Sequence, residues 1–354
     1  MFYHYNSFRR ASASLVRITR NGFCSALVLC LVSGASSSAE PFRLVITDAV
    51  PPLVPNSVME LALELGYFRR ENVDVKLVRV EQTPLAVAAL LSGHGDMANI
   101  SVEALLHLVG RGERQWKAVV SPNKSFPFLI VGRREVASPA QLPGRTFGVG
   151  RVGSLDHSLT SAVLRAKDVD PSSVSFISIG QPQLRAQALA MGRIDATTVS
   201  IGAWLGFAKR PDLHVLLTER DYFAAAPLVS KVNVVALGTI ATKRDQIAAV
   251  VSAIIKASRD FAQRPGEWAA AMERLRPDVS RQELETLARM FQSSWSVNGG
   301  LNMRELQFTA DWLYAAPELK DLRRLAPQDW IDFSFVDSVL ATSGVVASGD
   351  PPAR

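Results

Sequence analysis

The sequence predicts an α/β fold of two lobes, each a mostly parallel sheet flanked by helices, followed by a helical C-terminal extension. Three observations carry this. Residues 144–204 read as strand, glycine turn, helix, strand, helix and strand. The same β-α-β-α-β-α order occurs at 42–109. Past residue 237 the apolar side chains fall at helical spacing instead. A βαβ run makes parallel pairs through right-handed crossovers, which sets helix N-termini at the carboxyl ends of the strands. Those ends are where open α/β sheets bind ligands.

A chain of 354 residues can bury two lobes, and 48% hydrophobic against 20% charged residues is a globular composition. The first 39 residues stand apart. Arg9, Arg10, Arg17 and Arg20 precede the short apolar run 23–32, and Ser37 and Ala39 put small residues at −3 and −1 of a cleavage site. This is the pattern of a secretory signal peptide over 1–39. The run falls short of the roughly 18 apolar residues of a membrane span. Cleavage would remove four arginines and no acid, taking the formal charge from +6 to +2. The basic balance therefore does not imply nucleic acid. Both cysteines, Cys24 and Cys30, would leave as well, so the mature chain would have no disulfide, thiolate metal site or Cys nucleophile.

The mature chain opens with a strand at 42–47 and a Pro-rich loop at 48–56. Ser57 is placed to cap a helix that Gly66 closes. A strand at 73–80 follows, then Thr83 as N-cap with Pro84 at N1 of a helix running to Leu91. A strand at 97–100 leads to Ser101, the cap of a helix at 102–109. Strands are expected near 116–120, 128–131, 146–149, 174–179 and 231–237, and helices at 154–167 and 182–191. Later helices are expected at 241–264, 267–275, 280–295 and 303–314. With chain crossings near 125–140 and 222–232, lobe 1 comprises 40–130 and 231–345, lobe 2 comprises 131–230, and 346–354 is a flexible tail.

Several patterns suggest chemistry. Gly148-Val-Gly150-Arg-Val-Gly153 fits G-x-G-x-x-G, but a dinucleotide site also needs an acid at the end of the next strand. That strand ends Ile179-Gly180-Gln181, so no dinucleotide cofactor is expected, and no metal site either. Gly153 and Ser154 open a helix whose N–H groups favour an anionic or strongly polar group, and Leu155 follows them. A plain serine cap explains the same residues. Ser154, Asp156 and His157 include the residue types of a hydrolytic triad, yet one helical turn cannot give nucleophile, base and orienter their geometry. No catalytic residue is assigned, and His157 reads as packing the helix start. Asp48, Ala49 and Val50 lie where the first strand meets the cleft, and Ser101 holds the same position at the third. Ser200 and Trp204 end the equivalent strand of the other lobe, and Phe126 flanks a crossing. Each is a ligand-contact candidate with a bland alternative: a solvated turn, a cap or a buried ring.

Five motifs in order resemble the NMT1/THI5-like periplasmic solute-binding proteins, relatives of the nitrate, sulfonate and taurine receptors of ABC importers. They are Gly66-Tyr67-Phe68, Ser92-Gly93-His94-Gly95-Asp96, Leu142-Pro-Gly144-Arg145, Gly153-Ser154-Leu-Asp-His157 and Gly192-Arg-Ile194-Asp195-Ala196. Two departures are Ile201-Gly202 in place of a proline and Asp168 in place of a glycine. The resemblance implies a fold like the type II periplasmic binding proteins and a monomeric, non-enzymatic receptor in the periplasm. Such a receptor takes a small molecule, anionic or aromatic, to an ABC permease in the inner membrane. The alternative it brings is an enzyme of the THI5 branch, which carries a cysteine-rich motif that the mature chain lacks.

Overall fold

The computed structural model describes residues 40–47, 50–316, 319 and 321–352. The expected signal peptide lies outside the described residues. The chain from Pro41 onward forms one compact unit containing two five-stranded sheets.

The first sheet is built from β1 (Phe42–Ile46), α1 (Val58–Glu64), α2 (Tyr67–Arg70), β2 (Val75–Arg79), α3 (Thr83–Leu91), β3 (Met97–Ser101), α4 (Val102–Gly110) and β4 (Trp116–Asn123). The second takes β5 (Phe128–Arg133), β6 (Thr146–Val149), α5 (Leu155–Ala166), β7 (Ser175–Ser178), α6 (Pro182–Ala190), β8 (Ala196–Ser200), α7 (Ile201–Leu205), β9 (Leu213–Leu217) and α8 (Glu219–Ala225). The chain then re-enters the first sheet as β10 (Lys231–Ala236). It ends in α9 (Leu237–Gln263), α10 (Pro265–Leu275), α11 (Arg281–Met290), α12 (Met303–Tyr314), α13 (Pro327–Trp330) and α14 (Ser334–Ser343).

Strand order is β2-β1-β3-β10-β4 in one sheet and β7-β6-β8-β5-β9 in the other. Each has three parallel strands followed by one antiparallel strand: β10 runs against β3 and β4, and β5 against β8 and β9. The inserted strand in each case follows a link between sheets, 124–127 before β5 and 226–230 before β10. Val232, Val234 and Val235 are fully buried, as a strand covered on both faces requires.

The two aspartates of the glycine-aspartate motifs do the same work in each half. Asp96 accepts hydrogen bonds from Arg43 N (2.8 Å) and Arg43 Nη2 (2.9 Å), while its own N–H donates to Arg43 O. Asp195 accepts from Thr146 N (2.9 Å) and Oγ1 (2.8 Å), and its N–H donates to Thr146 O. Both brace the amino end of a strand, the end opposite the one that receives ligand in such sheets. Gly148 lies over Ile194, where an added Cβ would come within 2.7 Å of Ile194 Cδ1. Its missing side chain thus serves packing, not phosphate approach.

Some local expectations differ. Ser57 caps nothing: its hydroxyl donates to Val54 O (2.6 Å) and accepts from Trp268 Nε1 (2.8 Å), so tertiary packing claims the side chain. Gln82 is the N-cap of α3, with Thr83 already helical. The helix expected at 280–295 stops at Met290, since Phe291 and Trp295 continue the apolar spacing but pack from an irregular segment. β9, α8, α13 and α14 have no counterpart in the sequence reading. The tail read as flexible is pinned through residue 352. Asp350 is buried, taking Asn298 N (2.9 Å) and Gly300 N (2.7 Å), and Asn302 Nδ2 donates to Pro352 O. Gly300 (φ +66°) crosses Ser121 so closely that a Cβ would lie 2.2 Å from its carbonyl oxygen. Among the described residues, no helix is long and apolar enough to cross a membrane.

Candidate functional site: a cavity at the links between the sheets

Both links, the start of α4, the start of α5 and one face of α12 meet around a cavity of about 210 Å³. Ser101, Val102 and Glu103 contribute from the first half, Leu155 from the second, and Phe126 and 228–230 from the links; Lys231 opens β10, and Thr309 and Leu313 come from α12. The wall is mainly apolar, with Phe126 stacked on Phe128 at 5.5 Å between ring centroids.

Its polar groups are few and placed by secondary structure. Ser101 is the N-cap of α4 and accepts from Ala104 N (3.2 Å), while Val102 N donates to Ser230 O. Lys231 Nζ donates to Thr47 Oγ1 at 2.7 Å, and among the described residues no carboxylate lies within ion-pair distance of it. Nearby, Lys124 of the first link is buried, with its ammonium 3.4 Å from Glu305 and 4.4 Å from the centre of the Phe223 ring. Burial pushes the Glu305 carboxyl above its ordinary range, Lys124 pulls it back, and the buried Asp350 adds to the rise.

Of the expected contact residues, Ser101, Phe126 and Leu155 come together here. Gly153 and Ser154 adjoin Leu155 but face their own loop. Gly153 N donates to His157 Nδ1 (3.0 Å), Gly150 N to Asp156 Oδ2 (2.8 Å), and the Ser154 hydroxyl to Asp156. Asp156 lies 3.3 Å from the buried Arg185 guanidinium, so this helix start already holds a carboxylate. His157 packs edge-on to Phe176, the structural part expected of it. Ser200 is the N-cap of α7, opposite Phe128 in register. Trp204 is buried away from the cavity, lining a hollow against α11 with Leu287 and Met290. Val50 is exposed, and Asp48 and Ala49 lie outside the described residues.

Sequence reasoning missed Lys231, Ser230, Thr309 and Leu313. The four-residue spacing of Thr309 and Leu313 places them on one helix face, but only tertiary packing shows what that face meets. Larger hollows exist, one of about 340 Å³ beside the C-terminal tail and one of about 380 Å³ near Arg69. The first is walled by Arg220 of α8, α9, the 292–297 segment and the tail, the second by α1, α2 and the amino end of β2. Neither lies at the carboxyl ends of the parallel strands, which singles out the smaller cavity. Among the described residues, no group of three or more His, Cys, Asp and Glu side chains could hold a metal ion.

Comparison with solved structures shows the same fold. A putative periplasmic sulfonate-binding protein from Methylobacillus flagellatus aligns with a TM-score of 0.64 at 14% identity, covering 89% of this chain and 98% of that one. The periplasmic aliphatic sulphonate-binding protein SsuA of Escherichia coli gives 0.60 at 14% identity, with 83% and 92% covered. The periplasmic nitrate-binding protein NrtA of Synechocystis gives 0.57 at 13%, with 88% and 91% covered. No protein of curated function matches the sequence. Residues 57–268 match the family described as NMT1/THI5 like, which spans α1, both links and the whole second sheet. The chain therefore belongs to the NMT1/THI5-like family and has its periplasmic-binding-protein fold.

Proposed function

We propose that this protein is a monomeric receptor that captures a small organic anion between its lobes and hands it to an ABC permease. It would act in the periplasm, after loss of residues 1–39. The lobes are taken as 40–130 with 231–345, and 131–230. The reading rests on Lys231, a cation whose partner among the described residues is the Thr47 hydroxyl, in a mainly apolar cavity that Glu103 also lines where both sheets meet. A carboxylate or sulfonate group would pair with it. The apolar body would lie against Phe126, Leu155 and Leu313, burying surface at about 25 cal/mol per Å².

The cavity, at about 210 Å³, compares with the roughly 150 Å³ that accommodates benzene. A single substituted ring or a short chain fits that scale. The relatives named for aliphatic sulfonates and nitrate support an anionic ligand. The apolar wall favours an organic one.

Native mass spectrometry of periplasmic protein, followed by a thermal-shift screen of alkanesulfonates, aromatic carboxylates, nitrate and pyrimidines, tests this. A stabilising organic anion bound one to one supports the receptor. Product accumulating beyond one equivalent rejects it in favour of an enzyme.

A further inference from the structure

The two lobes also meet away from the cavity. Lys209 Nζ lies 3.2 Å from Glu283 Oε1 at an open rim, and Phe308 and Trp312 of α12 pack against the core of the second lobe. A third contact differs in kind. Ser294, between α11 and α12, donates its hydroxyl to Glu219 Oε1 at the start of α8 (2.8 Å). Glu219 is only 2% exposed, and among the described residues its Oε2 reaches no donor and no cation stands within ion-pair distance. A carboxylate shut away from water with one neutral side-chain donor is disfavoured as an anion, which raises its hold on a proton.

We propose that Glu219 and Ser294 form a proton-dependent clasp between the lobes, neutral and buried when the lobes are joined, hydrated and ionised when they part. The charged surroundings agree. On its own helix Glu219 is followed by Arg220 and Asp221, the latter held by Thr218 and Lys167. The 291–302 segment offers it the Ser294 hydroxyl. From the first link, Lys124 reaches the Phe223 ring one turn along α8 and is committed to Glu305, and Arg259 borders the adjoining hollow beside Arg220. Burial pushes the Glu219 carboxyl up. The Ser294 bond, its own backbone N–H and Arg220 pull it partly back, and Asp221 adds to the rise.

Joining the lobes therefore takes up a proton. The clasp is at full strength below the ordinary glutamate range of about 4.3 and weakens as pH rises through the raised value. One proton is exchanged, so the joined-to-parted ratio changes by at most about tenfold per pH unit in that window. The device needs no ligand and is independent of what the cavity takes.

The test is ligand-free interlobe energy transfer in the full chain with Cys24 and Cys30 replaced by serine. Labels go on K76C in β2 and R193C before β8, both exposed positions. Transfer should fall in the parent as pH rises above the ordinary glutamate range of about 4.3. It should stay at the joined value throughout in E219Q. In S294A, which loses the bond between the lobes, the transition should move to lower pH, because less ionisation of Glu219 then suffices to part them. Circular dichroism at each pH reports whether a variant is folded; if E219Q is not, the direction of the S294A shift decides. A parent flat as pH rises, an E219Q variant that keeps the transition, or an S294A shift to higher pH overturns the clasp.

Discussion

Two side chains carry most of the weight at the residue scale. Lys231 lines the cavity with Thr47 as its partner among the described residues, which leaves its ammonium further donors there. K231M should weaken binding of an organic anion by roughly 1.5–3 kcal/mol, about tenfold to a hundredfold, with little change in unliganded melting. Titration calorimetry of parent and variant checks this, and equal affinity would remove Lys231 from the site. Asp96 is the second. Burial alone would raise its carboxyl, but hydrogen bonds from the side chain and backbone of Arg43, reinforced by Lys243, hold it below the usual range. Its stabilising share is present above the ordinary aspartate range of about pH 4 and is lost as pH falls through the depressed value. D96N should cost about 3 kcal/mol near neutral pH, since it leaves Arg43 and Lys243 without their carboxylate. It should also flatten the acid side of the stability profile. Urea melts at about pH 7 and pH 3 measure both effects, and an unchanged profile would count against the brace.

Among the elements, those set by local chemistry were legible in the sequence and those set by distant packing were not. Ser101 caps α4 because a hydroxyl three residues before an amide suffices, wherever the helix ends up. The positive φ of Gly66, Gly93 and Gly192 follows from the chain turning after a helix. Ser57 had the right residue type for a cap, but Trp268, more than two hundred residues away, takes its oxygen. The antiparallel insertion of β10 beside β3 was equally out of reach, because the pairing spans distant segments. Of the residues lining the candidate cavity, Ser101, Phe126 and Leu155 could be singled out in the sequence from strand ends and a crossing. Lys231 looked like the first residue of an ordinary strand. The C-terminal tail shows the same limit: its composition reads as linker, yet Asp350 closes the 298–300 turn over Ser121 beside the first link. Deleting 345–354 should therefore lower stability by about 2 kcal/mol or more, through two unsatisfied buried N–H groups. The denaturation midpoint reads the loss, and a midpoint equal to the parent's would show that the tail merely rests on the surface.

For the whole molecule, two sheets of like topology exchange strands through two links, and the cavity sits where those links meet α4, α5 and α12. Paired links allow rotation of one lobe on the other, the hinge closure by which two-lobed proteins enclose ligands. Binding would then be read out as shape, with the solute unaltered. The most direct measurement is calorimetric titration of the purified protein with the best organic anion from the thermal screen, followed by recovery and mass analysis of that anion. Saturation at one equivalent with the anion returned unchanged, and its loss in K231M, is the expected result. An altered anion, or full binding by K231M, would contradict capture at this cavity.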